Sequence, residues 1–186
     1  MAVKAAARIL PMSAAKGAVP LGIDSRIALN YNQPYRLKVD MEGSDTGFFG
    51  ILALGGPGAK TYEQNLKNGY SYEIKVGDII ETETGKVEGK TRDGVNFRID
   101  SDPYPEGDYN HRDSTRVILI PVYEPYEQTS NQMKRIKVVG FAYFYILEPM
   151  SHQDSEINGY FIERADTAFA SPGTPDTGAY AIKLVE

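Results

Sequence analysis

The sequence predicts a mainly β, single-domain protein: a β-sandwich or open barrel that carries two or three short helices. Segments in which apolar and polar residues alternate recur along the chain, and turns rich in Gly, Pro and Asp separate them. Two long runs of β-branched and aromatic residues, 116–123 and 136–147, predict a central hairpin. The length of 186 residues suits one domain with its own hydrophobic core.

The N-terminal segment is expected to differ from the rest of the chain. Residues 2–10 combine alanine with charged straight-chain residues, a composition that favours a helix, and Pro11 ends it. Basic residues and this proline also make the segment unlike a signal peptide. We therefore expect residues 1–18 to form an N-terminal helical remnant and 19–186 to form the β-rich domain.

The first half of the β-rich region combines short strands with two helices. Alternation of apolar and polar residues is typical of half-buried strands, and mostly apolar runs are typical of buried ones. A helix is predicted at 61–67, with Thr61 as its N-cap, and a second at 90–98, followed by a polar loop at 100–112. The strands predicted in this half are 26–29, 35–41, 48–54, 70–76 and 79–82.

The second half contains the strongest strand signals. The runs 116–123 and 136–147 are apolar over most of their length, and a loop is predicted between them at 124–133. Gly140 is predicted to mark a bulge in the second of these strands. Shorter strands are predicted at 160–163 and 180–185.

Composition excludes several functional classes. The net charge is −5 and the pI is about 5.2, whereas nucleic-acid binding requires a basic surface. The chain contains no cysteine, which excludes thiol catalysis, cysteine-based zinc sites, iron–sulfur clusters and disulfides. The longest nearly uncharged apolar stretch, 138–147, is about half the length that a membrane-spanning helix needs.

Familiar catalytic motifs are absent or incomplete in the sequence. His111 and His152 lie in polar loops, where a histidine is usually solvated. The S-x-x-K match at 13–16 lacks the companion motifs of that enzyme class. The glycine-rich segment 55–61 lacks the glycines that a phosphate-binding loop requires. We therefore expect a protein that is not an enzyme and has no catalytic, cofactor-binding or metal-binding residues.

Two acidic groups leave alternatives open. Oxygen ligands at short spacing suit Ca²⁺, although the string at 100–108 does not follow the EF-hand pattern. Carboxylates close in sequence could also serve a paired-carboxylate hydrolase. The candidate calcium ligands are Asp100, Asp102, Glu106 and Asp108, and the candidate hydrolase carboxylates are Glu81, Glu83 and Glu88.

An ordered set of short motifs runs through most of the chain. The motifs are F-G-x-L-A-L-G-G at 49–56, N-L-K-N-G-Y at 65–70, V-G-D at 76–78, E-T-E-T-G at 81–85, G-x-T-x-x-G-V at 89–95, R-V-I-L-I-P-V at 116–122 and V-V-G-F-A-Y-F at 138–144. This order, together with V-P-L-G-I at 19–23, G-Y-F-I at 159–162 and Y-A-I-K-L-V at 180–185, resembles the extracytoplasmic part of TadE/TadG-like proteins of Gram-positive bacteria, which belong to the tight-adherence (Flp) pilus-assembly group.

The resemblance implies a non-enzymatic domain at the cell surface. Such proteins typically have one N-terminal transmembrane helix, and this sequence does not contain one. The resemblance therefore implies that the full-length protein is attached to the membrane only through such a helix. The expected partners are pilus or cell-envelope proteins, and the family offers no catalytic residues to carry over. A small-ligand or carbohydrate-binding β-module with tyrosines as stacking surfaces is the alternative. A hydrolase that uses loop carboxylates is a third.

Overall fold

The computed structural model describes residues 6–38, 50–83, 85–129 and 133–185. These residues form a seven-stranded sheet, a five-stranded sheet and two α-helices. The predicted fold class, a mainly β protein with short helices, is confirmed. The strands are β1 (Ala6–Ala15), β2 (Leu21–Asp24), β3 (Tyr35–Lys38), β4 (Gly50–Ile51), β5 (Ile74–Lys75), β6 (Ile79–Glu81), β7 (Val117–Gln128), β8 (Met133–Ile146), β9 (Glu156–Ile162), β10 (Arg164–Asp166), β11 (Phe169–Ala170) and β12 (Ala179–Val185), and the helices are α1 (Ala59–Asn68) and α2 (Glu88–Asp100).

The hairpin of β7 and β8 is the centre of the larger sheet, as the sequence predicts. The two strands pair antiparallel, and the register shifts between Val122↔Gly140 and Tyr123↔Val138. This shift leaves Val139 as the extra residue of a bulge and confirms the bulge predicted at Gly140. The loop predicted at 124–133 is wrong in part, because β7 remains paired with β8 as far as Gln128.

The central hairpin is buried on both faces, which explains why its sequence is almost continuously apolar. One face packs against α1 and α2, and the other packs against β1 and β12 of the smaller sheet. The molecule therefore has three layers: helices, the larger sheet and the smaller sheet. Side chains of the hairpin that face the helical layer are Ile118, Ile120, Val122, Ala142, Phe144 and Ile146.

Strand β1 contradicts the predicted N-terminal helix at 1–18. From Ala6 onward the segment is extended and pairs antiparallel with β12, from Ala6↔Val185 to Pro11↔Tyr180, and then with β11 and β5. A helix this short is marginal in water, so pairing with β12 overrides the helix propensity of its alanines. Residues 2–5 of the predicted helix lie outside the described residues. Strand β1 is therefore part of a sheet whose other strands come from residues 19–186.

Three other predictions need correction. The strand predicted at 26–29 is wrong: β2 lies at Leu21–Asp24, and the Arg26 backbone N–H donates to the Asp24 carboxylate in the turn that follows. In the segment predicted as a strand at 70–76, only Ile74–Lys75 forms a strand. Helix α1 begins at Ala59 after Gly58, so Thr61 is not its N-cap. The predicted residues 39–41 and 48–49 lie outside the described residues.

Candidate functional site

The second glutamate of the E-T-E-T-G motif anchors the glycine turn before α1. The Glu83 carboxylate accepts a hydrogen bond from the Gly58 backbone N–H at 2.6 Å and another from the Gly85 backbone N–H at 3.0 Å. Glu83 is buried, with 4% of its surface exposed. A carboxylate at a helix N-terminus is favoured by the helix dipole, so Glu83 stabilises α1 from a distant segment.

The G-x-T-x-x-G-V motif fixes α2 against α1. The Thr91 hydroxyl donates to the Val87 carbonyl at 3.0 Å and lies 2.8 Å from the Tyr62 hydroxyl, which therefore donates to it. Burial raises the pKa of Tyr62 well above its usual range, so the phenol keeps its proton. A Cβ at Gly94 would lie 2.6 Å from Leu66 Cδ2, so this glycine permits the close approach of the two helices.

Arg98 completes the same region, and sequence reasoning missed it. Its Nε donates to the Leu66 carbonyl at 2.5 Å and its Nη1 to the Thr115 carbonyl at 2.9 Å. Burial lowers the pKa of Arg98 to about 10, so the group is cationic at neutral pH. A cation near the last turn of α1 is favourable, and the same side chain joins both helices to the start of β7. We call α1, α2 and the described residues 54–58, 81–83 and 85 the helical hub.

In the acidic loop at 100–108, Asp102 and Asp108 serve local structure, whereas Asp100 and Glu106 are exposed. Asp102 accepts hydrogen bonds from Ser114 Oγ at 2.5 Å, the Tyr104 N–H at 2.9 Å and the Arg116 N–H at 3.0 Å. Partial burial opposes the charge of Asp102, but these hydrogen bonds hold its pKa below the usual value. Asp108 Oδ2 lies 3.1 Å from His111 Nε2. Among the described residues, no group of three or more His, Asp or Glu side chains could hold a metal ion.

The other residues considered for catalysis lie apart or at the surface. Ser13 Oγ donates to Ser171 Oγ at 3.1 Å, and Lys16 is exposed just after β1. His152 is exposed in the turn before β9. Of the acidic group 81–88, Glu81 and Glu88 are exposed, whereas Glu83 is buried in the hub. Each of these side chains thus has a structural partner or a solvated position.

A surface cleft of about 620 Å³ lies between β1, β5 and the segment 169–174. Phe169 stands at this cleft with 66% of its surface exposed. Hydroxyl groups of Ser13, Ser171 and Thr174 also line it, together with Glu73, which forms an ion pair with Lys75. The cleft offers one exposed aromatic ring beside several hydroxyl groups.

The ends of β1 and β12 form a two-stranded ribbon with an unusual surface. We call Ala6–Pro11 and Tyr180–Val185 the terminal ribbon. Ile9 and Ile182 are direct cross-strand partners, and they are 62% and 47% exposed. Arg8 and Lys183, the next pair along, are also exposed. Since cross-strand partners share a face, exposed apolar groups lie on one face and two like charges on the other.

The terminal ribbon also has open backbone edges. No described strand pairs with the outer edge of β1 at 6–11, because β11 and β5 pair with it only at residues 12–15. Strand β10 covers β12 only at 179–181, so residues 182–185 have no described strand on their outer side. Such edges present unpaired N–H and C=O groups that can pair with another chain.

Comparisons with family models, with curated proteins and with solved structures found no match for this chain. In the part of the chain that the structure describes, no helix is long and apolar enough to cross a membrane.

Proposed function

We propose that this chain is the extracytoplasmic domain of a membrane-anchored, cell-surface protein of pilus assembly or adhesion, and that it acts through protein–protein contacts. The observation that carries this proposal is the terminal ribbon, where the adjacent side chains of Ile9 and Ile182 face solvent beside strand edges that no described strand covers. Natural β-proteins generally protect such edges, so a strand edge beside two adjacent exposed isoleucines favours an interaction surface.

The resemblance to TadE/TadG-like proteins supports the same proposal from the sequence. The structure gives a physical role to several of its motifs, because Glu83, Thr91 and Gly94 hold the helical hub together. Residues with such roles define a scaffold. The contact surface would then lie elsewhere, and the terminal ribbon belongs to β1 and β12, which pack on the face of the larger sheet opposite the helices.

A capture experiment tests the proposal. The wild-type domain, immobilised as bait, is incubated with solubilised and crosslinked cell envelope, and bound proteins are identified by mass spectrometry. We expect pilus-assembly or other envelope proteins to be enriched over an unrelated β-domain of similar charge. Repeated trials with no enrichment would contradict a contact function.

A small-ligand or carbohydrate-binding function is the second candidate. The cleft beside Phe169 favours it, because an exposed aromatic ring next to hydroxyl groups can stack on a sugar ring. The test is a glycan array probed with the wild-type domain and with F169A. Binding that F169A abolishes would favour this candidate, and equal signals from both proteins would count against it.

A further inference from the structure

We propose that the terminal ribbon binds an extended segment of a partner protein as an added strand on the edge of β1, and that this segment alternates acidic with aliphatic residues. The inference rests on the proposed function, a contact protein, and specifies the chemistry of the partner. It follows from the backbone edge, from the two faces of the ribbon, and from the charge of both strands.

The backbone edge determines the shape of the occupant. The outer side of β1 at Ala6–Leu10 is not paired with any described strand, and its outward N–H and C=O groups can take hydrogen-bond partners from another chain. An added strand supplies them in a regular ladder, whereas a helix or a globular surface does not. The β1 edge is longer than the open edge of β12 at 182–185, so we place the added strand beside β1.

The apolar face of the ribbon determines every second residue of the occupant. On this face Ile182 and Ile9 lie side by side, and an added strand would place one of its own side chains next to Ile9. An aliphatic side chain at that position removes exposed apolar surface from water on both sides of the contact. Successive side chains of a strand alternate between faces, so the aliphatic positions recur at every second residue.

The basic face determines the remaining positions. Arg8 and Lys183 are directly opposed, and like charges in this arrangement repel each other. None of the ion pairs among the described residues includes either of them. The chain as a whole carries a net charge of −5, so this pair runs against the overall charge. A carboxylate on the added strand next to Arg8 would offset the repulsion.

The same charges disfavour a second copy of this chain as the occupant. Neither 6–11 nor 180–185 contains an acidic residue. Pairing two copies through their β1 edges would therefore add further basic groups to the face that already holds Arg8 and Lys183. Charge complementarity thus favours a foreign acidic segment over self-association.

The test uses two synthetic peptides of identical composition. One alternates glutamate with valine, and the other has all its glutamates before all its valines. Fluorescence polarisation with the full chain should give an affinity for the alternating peptide about tenfold higher than for the block peptide. The double variant R8E/K183E should lose this binding and instead prefer a peptide that alternates lysine with valine. Equal affinities of the wild-type chain for the two glutamate peptides would overturn the proposal.

A matched control separates ribbon chemistry from total charge. The double variant K60E/R112E makes the same change in net charge at exposed basic residues on α1 and in the loop before β7, and it should bind the alternating peptide as the wild type does. Loss of binding by this control would contradict a ribbon-specific site. Concentration-dependent dimerisation of the wild type that R8E/K183E abolishes would also contradict the proposal, because it would assign the edge to a second copy.

Hydrogen exchange provides a readout that does not depend on the variants. Bound alternating peptide should slow amide exchange within Ala6–Leu10, and protection only in the helical hub would contradict the assignment. Capture from the envelope distinguishes this inference from the proposed function. If wild-type and R8E/K183E baits capture the same envelope proteins equally, the strand-addition site is wrong while the contact function stands.

Discussion

The helical hub and the terminal ribbon differ in almost every physical respect. In the hub, polar groups are buried and paired: Glu83 accepts backbone hydrogen bonds and Arg98 donates to two carbonyls. In the ribbon, apolar side chains are exposed, like charges are opposed, and no described strand covers the outer backbone edges. The hub contains the motifs E-T-E-T-G and G-x-T-x-x-G-V, whose residues hold α1 and α2 in place.

Two glycines of the hub, Gly58 and Gly94, have structural roles. Gly58 adopts φ 133°, in the region that favours glycine, and its N–H is already bound by Glu83. Gly94 is needed because Leu66 occupies the space beside it. Both positions serve the packing of α1, so substitutions there should affect folding before they affect any interaction.

The largest expected effect is at the contact between the helices. The substitution Gly94→Ala places a methyl group against Leu66 and should lower the free energy of unfolding by about 2 kcal/mol, despite the gain in helix propensity. The control is Gly89→Ala in the same helix, where the nearest atom is 3.8 Å away; this change should be neutral or raise stability by about 0.5 kcal/mol. Urea denaturation measures both. Equal effects of the two substitutions would contradict the packing role of Gly94.

The next effect concerns the carboxylate that anchors α1. Replacing Glu83 with glutamine keeps its shape but removes the charge that accepts the Gly58 and Gly85 N–H groups, which should cost about 1.5 kcal/mol. Glu81→Gln changes an exposed side chain in the same motif and should stay within about 0.5 kcal/mol of the wild type. If chemical denaturation found no difference between the two variants, Glu83 would not be an anchor.

The buried hydroxyl pair should give a smaller change. Tyr62→Phe removes the donor to Thr91 and should destabilise the chain by about 1 kcal/mol. Tyr126→Phe, at a tyrosine that is 58% exposed, should have almost no effect. Thermal unfolding of both variants measures the difference, and a Tyr62→Phe protein as stable as the wild type would contradict the assigned hydrogen bond.

Acid should reveal the role of Asp102. The pKa of Asp102 is lower in the folded chain than the ordinary value of 3.8. The contribution of this carboxylate to folding stability is therefore complete above pH 3.8 and is lost as the pH falls through the folded pKa. Solvent screening of this partly exposed group should keep the effect below about 1 kcal/mol. In urea titrations, Asp102→Asn should be less stable than the wild type at neutral pH, and the gap should narrow at acid pH. A gap that is constant with pH would contradict this account.

The smallest effect on folding is expected in the ribbon. The double substitution I9T/I182T keeps residues that favour strands while removing exposed apolar surface, and it should change stability by less than about 0.5 kcal/mol. Circular dichroism and thermal unfolding check this expectation. A large loss of stability would mean that these isoleucines belong to the core, and the contrast between hub and ribbon would not hold.

Sequence reasoning was most successful where one local signal was sufficient. The long apolar runs predicted β7 and β8 because both faces of that hairpin are buried. It failed where a distant partner determines the structure. The alanines of β1 favour a helix locally, but β12 at the far end of the chain pairs with them. Strand β2 is not among the predicted strands, because its glycine and the preceding proline are residues typical of turns, although Leu21 and Ile23 are buried.

The candidate surface was less predictable than the fold. Ile9 and Arg8 belong to a segment interpreted as a helix, and Ile182 and Lys183 belong to a predicted strand of ordinary appearance. Only the register of β1 against β12 brings the apolar pair and the basic pair together. The role of Arg98 was likewise hidden, because its partners are backbone carbonyls of Leu66 and Thr115 and leave no pattern in the sequence.

The central claim is that the terminal ribbon, and not the helical hub, is the contact surface. The most direct test is to map where the captured envelope partner contacts this chain. Amine-reactive crosslinking followed by mass spectrometry reports this contact, because Lys183 lies in the terminal ribbon while Lys60 and Lys90 lie in the helical hub. Our account predicts crosslinks to the partner at Lys183 and few at the two hub lysines. Crosslinks concentrated at Lys60 and Lys90, with none at Lys183, would contradict it and would place the contact surface on the helices.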